Sequence, residues 1–196
     1  NSRLKEAFAR FRDWLIEILS DDVHRDGVSP HLIPLSEVTM HLPFTVGDYV
    51  DFYASEQHAT NVGRIFRPDS EPLTPNWKHL PIGYHGRSQT IVVSGTEIIR
   101  PSGQRKPPTE PSPVFGASVR LDIEAELGFV VGGPGDLLGS GTISGSQRAQ
   151  RGSFLELSWS GAEPVTLDDG STRSFLEDGD VVTLRASAPA SGGGRI

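Results

Sequence analysis

Glycine and proline constrain this chain more than any other feature of its sequence. The 196 residues include 22 Gly and 15 Pro, and these show no collagen-like period. Each Gly or Pro tends to interrupt a regular helix or strand and to favour a turn. Chains that turn this often are typically all-β or loop-rich. We therefore expect short strands separated by turns.

Charge and composition exclude several classes of function. The 18 Lys and Arg are outnumbered by 25 Asp and Glu, which gives a net charge of −7, and there is no Cys. Disulfides, thiol chemistry and Cys-based zinc sites are therefore excluded. An acidic chain argues against nucleic-acid binding, which needs clustered basic residues. We see neither a membrane-spanning run nor a secretory leader, so we expect a cytoplasmic protein that binds no membrane.

Hydrophobic periodicity predicts one N-terminal helix and a series of strands. Apolar residues between Ser2 and Leu19 recur at spacings of three and four, as in an amphipathic helix that packs on its own domain or binds a partner. Residues 46–53 predict a strand that leads into a short helix over 54–67. Further strands are predicted at 91–93, 97–100, 119–131, 155–159, 165–167, 172–176 and 181–184. We expect a mainly β (α+β) fold, with a hairpin at Asp168-Asp169-Gly170.

Common catalytic signatures are missing from the sequence. It contains no Gly-x-x-x-x-Gly-Lys-Ser/Thr, Gly-x-Gly-x-x-Gly, Gly-x-Ser-x-Gly or His-Glu-x-x-His. Phosphate-binding loops, Rossmann cofactors, serine-esterase elbows and zincin sites therefore have no support. The remaining candidates for chemistry are histidines and acidic residues.

Four of the six histidines lie within a short part of the chain, at His41, His58, His79 and His85. They are accompanied by acidic, tyrosine and arginine side chains. This grouping suits a site with a general base and substrate-binding donors. The same residues could equally decorate a surface or cap loops, and their density does not decide between the two interpretations.

Carboxylates alternate in the segment Leu121–Gly128. In a strand, Asp122, Glu124 and Glu126 would share one face, where their mutual repulsion needs a cation or solvent to relieve it. Oxygen ligands in a row favour a hard ion, Mg²⁺ or Ca²⁺. The alternative is an amphipathic edge strand whose acidic face is solvated.

Two further features in the last third of the chain could serve a site. Glu156 lies in a predicted apolar strand, where it either faces solvent or is held for a purpose such as orienting a histidine. The loop Gly139–Gly145 could offer backbone N–H groups to an anionic oxygen, although an ordinary turn explains it as well.

Long consecutive motifs resemble the fumarylacetoacetase family, over most of residues 35–185. The strings Gln57–Gly63 and Gly83–Arg87 favour this family over the acylpyruvases, hydratases and decarboxylases of the wider superfamily. The matching motifs are Thr39–Pro43, Gly47–Tyr53, Gln57–Gly63, His79–Arg87, Val92–Gly95, Leu121–Glu126 and Gly139–Gly145.

The resemblance implies a mixed β-sandwich roll of the type found in the family's C-terminal domain, preceded here by the amphipathic helix. It further implies a homodimer, a bound Ca²⁺ or Mg²⁺, and a small diketo-acid substrate. The implied reaction hydrolyses a carbon–carbon bond of 4-fumarylacetoacetate to give fumarate and acetoacetate, the last step of tyrosine and phenylalanine catabolism.

Site residues follow from the same resemblance, position by position. Asp51, Glu124 and Glu126 match carboxylate ligands of the metal. His58 matches the general base that activates water, and Glu156 matches the acid that orients it. The positions that hold the substrate's oxygens are matched by Tyr53, Arg67, Tyr84 and Thr142.

The chain also departs from the family pattern. Between residues 134 and 135 the family would have well over a hundred further residues, including another Asp ligand and Arg, Gln and Lys groups. We therefore expect residues 1–34 to form a helix and connection, and 35–196 a catalytic domain that is discontinuous at this junction. The alternatives are a related acylpyruvate hydrolase, or a non-catalytic metal-binding remnant without the middle segment.

Overall fold

The computed structural model describes residues 2–131 and 135–188. The predicted discontinuity between residues 134 and 135 adjoins residues 132–134, which lie outside the described part. The chain divides into two compact units, Asn1–His41 and Leu42–Ile196. In its described residues, no helix is long and apolar enough to cross a membrane.

The first unit is helical. Helix α1 spans Ser2–Ser20, as the spacing of its apolar residues predicts, and α2 spans Arg25–Val28. The Asp21 carboxylate accepts a hydrogen bond from the Val23 amide at 3.0 Å, which caps the turn after α1. Short 3₁₀ turns complete the unit at Asp22–His24, Ser29–His31 and Leu35–Glu37.

A four-stranded mixed sheet organises the second unit. Its strands are β1 (Tyr49–Phe52), β2 (Gly83–His85), β5 (Gly128–Val131) and β6 (Asp136–Gly139). The strand order is β2-β1-β6-β5, with β1 parallel to β6 and the outer pairs antiparallel. Helix α3, Glu56–Phe66, follows β1 directly, as predicted.

Two antiparallel pairs lie outside this sheet. Strands β3, Ser102–Arg105, and β4, Val114–Ala117, form one of them. The other joins β7, Val165–Thr166, to β8, Thr172–Arg173, through the hairpin predicted from Asp-Asp-Gly, where Gly170 has a φ of +83°. Short 3₁₀ turns occur at Ser88–Thr90 and Arg148–Gln150.

Several of the predicted strands are wrong. The stretches 91–93, 97–100 and 181–184 are not strands, and only the last four residues of 119–131 pair regularly, as β5. The segment predicted as a strand over 155–159 is instead the short helix α4, Phe154–Leu157. Ser153 is the N-cap residue of this helix, and its side chain accepts a hydrogen bond from the Glu156 amide. The Ser-x-x-Glu capping signature therefore favours a helix over the strand that the apolar run predicts.

The interior of the second unit is unusually polar. Ala59 and Phe154 are the buried apolar residues among those described. Buried polar side chains are more numerous: Asp51, His58, Thr142, Ser144, Ser153, Glu156 and Ser158. The predicted α+β class with a leading helix is confirmed, and its best-buried part is a polar cluster.

Candidate catalytic and metal site

Sheet register places Asp51 at the centre of the candidate site. Asp51 in β1 lies opposite Tyr84 of β2 on one side and opposite Gly139 of β6 on the other. Its side chain is buried, and its Oδ2 atom accepts a 2.8 Å hydrogen bond from the Tyr84 hydroxyl. The sheet therefore delivers two of the predicted site residues to one point.

Asp51, Glu124 and Glu126 form a carboxylate cluster. Each offers one oxygen, and these oxygens all lie within 4.8 Å of one another. Gly139 makes room for them, since a Cβ there would lie 3.0 Å from Glu126 Oε2 and 3.2 Å from Asp51 Oδ1. A side chain at Gly139 would press on these oxygens, so the glycine leaves the carboxylates room to converge.

Electrostatics at this cluster fit a hard divalent cation. Burial, followed by the charge of Asp51, raises the pKa of Glu126 to about 8. The hydrogen bond to Asp51, together with burial, raises the pKa of Tyr84 to about 12. Asp51 Oδ1 is buried without a hydrogen-bond partner in the described part of the chain. A cation such as Mg²⁺ or Ca²⁺ would satisfy that oxygen and neutralise the repulsion.

Asp122 does not share the direction expected from strand alternation. Its carboxylate accepts hydrogen bonds of 2.7 Å from the amides of Phe154 and Leu155, at the start of α4. The segment 121–127 makes isolated bridges at Leu121 and Glu124 instead of a regular ladder, so its side chains need not alternate. Asp122 therefore supports the helix that carries Glu156.

His58 and Glu156 form a buried pair. His58 Nδ1 lies 2.7 Å from Glu156 Oε2, and the Glu156 side chain is fully buried. Burial alone would raise the pKa of Glu156, but hydrogen bonds from His58, Asn61 and Ser144 outweigh it and lower the pKa to about 2. The solvent-facing interpretation of Glu156 is thus wrong, because this carboxylate is buried within hydrogen-bond distance of a histidine.

Local capping explains why the pair forms. Ser55 begins α3 and its hydroxyl accepts from the His58 amide at 3.4 Å, which fixes the first turn of the helix. Ser153 does the same for α4 and the Glu156 amide. Both members of the pair therefore lie in the first turn of a capped helix, where the backbone has little freedom.

Tyr53 packs against His58 of the buried pair and follows Asp51 of the carboxylate cluster by two residues. Its ring meets the His58 ring edge-on, with 5.4 Å between centroids. Burial raises the pKa of Tyr53, the Arg67 charge lowers it, and the charges of Glu156 and Glu124 raise it. Tyr53 is thus within electrostatic reach of both halves of the site. Arg67 is exposed, and its Nη2 atom donates to the Pro72 carbonyl at 3.0 Å.

A tight loop brings Thr142 to the site. Gly141 has a φ of +75° and its Cα packs against the Phe52 carbonyl, so a side chain there would clash. The Ile143 amide donates to the Ala125 carbonyl at 2.8 Å, which ties the loop to the acidic segment. Thr142 is buried, and its Oγ1 atom lacks a hydrogen-bond partner in the described residues.

Asn61 and Ser144 contact Glu156 directly, and the sequence reading did not identify either one. Asn61 lies three residues after His58 on α3, so helical spacing alone places the two on one face. Ser144 belongs to the loop Gly139–Gly145, whose sequence predicts backbone N–H donors and gives no sign of a side-chain contact with Glu156. Of the other clustered histidines, His85 pairs with Asp48 at 2.5 Å, and both side chains are exposed.

Comparison with known proteins identifies a set of similar sequences. The chain is 54% identical to fumarylacetoacetase of Rattus norvegicus over 126 residues, which cover 64% of this chain and 30% of the rat protein. It is 51% identical to that of Caenorhabditis elegans over 138 residues, or 69% and 32% of the two chains. For Homo sapiens the values are 58% over 107 residues, or 55% and 25%.

The sequence identity is high, but the match covers only part of the length of each relative. The chain spans about a quarter to a third of the length of these curated relatives. The chain matches no protein-family model. Because identity of about half extends over more than a hundred residues in each case, the resemblance of this chain to the fumarylacetoacetase family is confirmed over the matched residues.

Proposed function

We propose that this protein is a metal-dependent hydrolase that cleaves 4-fumarylacetoacetate to fumarate and acetoacetate. The observation that carries this proposal is the buried pair of His58 Nδ1 and Glu156 Oε2, 2.7 Å apart, with the His58 ring against Tyr53, which follows Asp51 of the three converging carboxylates by two residues. A general base beside a hard-cation site suits attack of water on a diketone.

His58 would act as the base through its Nε2 atom. Because Glu156 is ionised, it accepts a hydrogen bond from the N–H group at His58 Nδ1. The Nε2 atom is then unprotonated and can take a proton from water. The resulting hydroxide adds to a carbonyl carbon of the substrate, and cleavage of the adjacent carbon–carbon bond releases an enolate. His58, now protonated, can return the proton to that carbanion.

The carboxylate cluster would hold Ca²⁺ or Mg²⁺ through Asp51, Glu124 and Glu126. When bound, the cation polarises a carbonyl of the chelating diketone and stabilises enolate charge. Tyr53, Arg67, Tyr84 and Thr142 would hold the keto and carboxylate oxygens; Thr142 Oγ1 is buried and unpartnered among the described atoms, as a ligand-binding hydroxyl would be.

Substitution of Glu126 tests the metal site separately from turnover. We expect Glu126→Ala to weaken Mg²⁺ or Ca²⁺ binding by at least about tenfold, since it removes one of three anionic ligands. Isothermal titration calorimetry measures this, with Glu110→Ala, an exposed acid, as the matched control. Equal cation affinity in the Glu126→Ala variant and the wild type would mean that the acidic cluster is a solvated face that does not bind the cation.

Product analysis tests the reaction itself. Purified protein is incubated with 4-fumarylacetoacetate and, in parallel, with an acylpyruvate. Formation of fumarate and acetoacetate supports the proposal, whereas hydrolysis of the acylpyruvate alone would assign the related activity instead.

We also propose a cytoplasmic homodimer, as the resemblance implies, and light scattering on the same sample tests the dimer.

One observation favours a second candidate, the non-catalytic remnant. Phe129, Val130 and Val131 on the edge strand β5 are 56%, 48% and 41% exposed, which is unusual for an apolar strand. An exposed apolar edge of this kind is what a chain without a covering segment would show. Intact mass discriminates the two: a value near 21.2 kDa favours the remnant, and one about twice as large favours the enzyme.

A further inference from the structure

The Glu156 carboxylate is held by more side chains than a histidine partner requires. Its Oε2 atom accepts from His58 Nδ1 at 2.7 Å, from Ser144 Oγ at 2.7 Å and from Ser153 Oγ at 3.0 Å. Its Oε1 atom accepts from Asn61 Nδ2 at 2.8 Å. Four donors thus converge on one carboxylate that is wholly removed from solvent.

We propose that Ser144 and Asn61 are positioning residues that hold Glu156 ionised and in one orientation, so that His58 keeps its proton on Nδ1 and presents Nε2. The inference rests on the function proposed above and deepens it, because Nε2 is the atom that would take the proton from water. Each of the two residues acts through Glu156.

The direction of the Ser144 hydrogen bond is set by its second partner. The Gly152 amide donates to Ser144 Oγ at 3.0 Å, so that oxygen already serves as an acceptor. A hydroxyl has a single proton, and the remaining contact is with Glu156 Oε2. Ser144 therefore donates to Glu156, which favours the carboxylate anion over the protonated acid.

Asn61 controls the plane of the carboxylate. His58 and Asn61 lie three residues apart on α3, and they donate to different oxygens of Glu156. A carboxylate held at both oxygens from one helix face cannot rotate without losing a buried hydrogen bond. Ser144 approaches from the loop after β6, so helix α3 and this loop both supply hydrogen-bond donors to Glu156.

The protein contains a second histidine–carboxylate pair that lacks this support. His85 Nε2 contacts Asp48 Oδ1 at 2.5 Å, and the side chains are 75% and 52% exposed. The other donor to the Asp48 carboxylate in the described residues is the Tyr49 backbone amide. In this pair Nε2 and not Nδ1 faces the carboxylate, so the His85 signals provide an internal reference from an exposed histidine.

Nitrogen-15 NMR of histidine-labelled protein tests the proposal without relying on activity. Two-bond proton–nitrogen correlations report which ring nitrogen of each histidine carries the proton. In the wild type we expect His58 to be the Nδ1–H tautomer. In Ser144→Ala and in Asn61→Leu we expect a measurable Nε2–H population at His58, while the His85 signals stay unchanged and confirm folding.

The matched control is Ser146→Ala, which removes an exposed hydroxyl directly after the same loop and should leave the His58 signals unchanged. Where the wild type turns over substrate, both positioning variants should lose about 10- to 100-fold in kcat, with KM little altered. An inactive wild type with the expected tautomers would count against the proposed function and not against this inference.

Two results would overturn the inference. One is a wild-type His58 in the Nε2–H tautomer. The other is an unchanged His58 spectrum in both Ser144→Ala and Asn61→Leu, which would mean that His58 alone suffices to hold Glu156. The two variants lie on different elements, so misfolding of one leaves the other to decide.

Discussion

A histidine in water moves its proton between Nδ1 and Nε2, and only the unprotonated nitrogen can act as a base. Here the 2.7 Å contact with a buried, ionised Glu156 assigns the proton to Nδ1 of His58. The pair resembles the base and orienting acid of other hydrolytic sites in geometry, although its residues come from two short capped helices.

Removal of His58 should therefore abolish most of the reaction. We expect His58→Ala to lower kcat by about 10²- to 10⁴-fold, the usual contribution of a general base, and to retain the native circular dichroism spectrum. Turnover of 4-fumarylacetoacetate measures this. His85→Ala, which disrupts the exposed pair, serves as the control and should retain activity. Comparable turnover in both variants would remove His58 from its proposed role.

Helix α4 shows how a single short element positions a reactive group. It has only four residues, Phe154–Leu157, so its own hydrogen bonds cannot maintain it. Its first amides are satisfied by Asp122 and Ser153, and its end is held by Ser158 Oγ, which donates to the Phe154 carbonyl at 2.8 Å. Glu156 is thus fixed by groups outside the helix as much as by the helix itself.

This dependence predicts a strong effect at Asp122, although it lies outside the candidate site. Asp122→Ala would leave the amides of Phe154 and Leu155 without an acceptor, and we expect it to reduce the free energy of unfolding by about 2 kcal/mol. Urea denaturation measures the loss, with the exposed Asp168→Ala as control. A stability equal to that of the control would show that α4 does not need this cap.

Elements with strong local signals could be predicted from the sequence, and the others could not. The periodicity of α1 and the Asp-Asp-Gly hairpin between β7 and β8 depend on neighbouring residues alone. The strand predicted at 155–159 failed because apolar runs do not distinguish strands from buried helices, whereas Ser153 three residues before Glu156 does.

The candidate site divides in the same way. The acidic residues Glu124 and Glu126 are suggestive in sequence, but Asp51 lies more than seventy positions away and joins them only through sheet pairing. Without the family resemblance, no spacing rule could have paired His58 with Glu156, which are separated by 98 positions. Long-range pairing of this kind is a property of topology.

Among its described residues, the second unit concentrates its buried side chains in a polar network instead of an apolar core. Buried hydrogen-bonded networks stabilise a fold only when every member is satisfied. Stability should therefore respond to the protonation of the network, and most of all to Glu156, which accepts four hydrogen bonds.

The pH dependence of unfolding tests this. Glu156 has a pKa of about 2 in the folded state against an ordinary value of 4.5, so its stabilisation is present above pH 4.5 and is lost as the pH falls towards 2. We expect a loss of about 3 kcal/mol across that range. Denaturant melts at several pH values should show this slope in the wild type and not in Glu156→Gln. Parallel pH curves for the two proteins would contradict the prediction.

Turnover before and after removal of divalent cations is the most direct test of the proposed metal-dependent site. Purified full-length protein is assayed with 4-fumarylacetoacetate, then after exhaustive treatment with chelator, and again after addition of Mg²⁺ or Ca²⁺. We predict release of fumarate and acetoacetate that stops with the chelator and returns with the cation. Turnover that persists unchanged in the chelated protein, or no turnover under any of these conditions, would contradict the proposal.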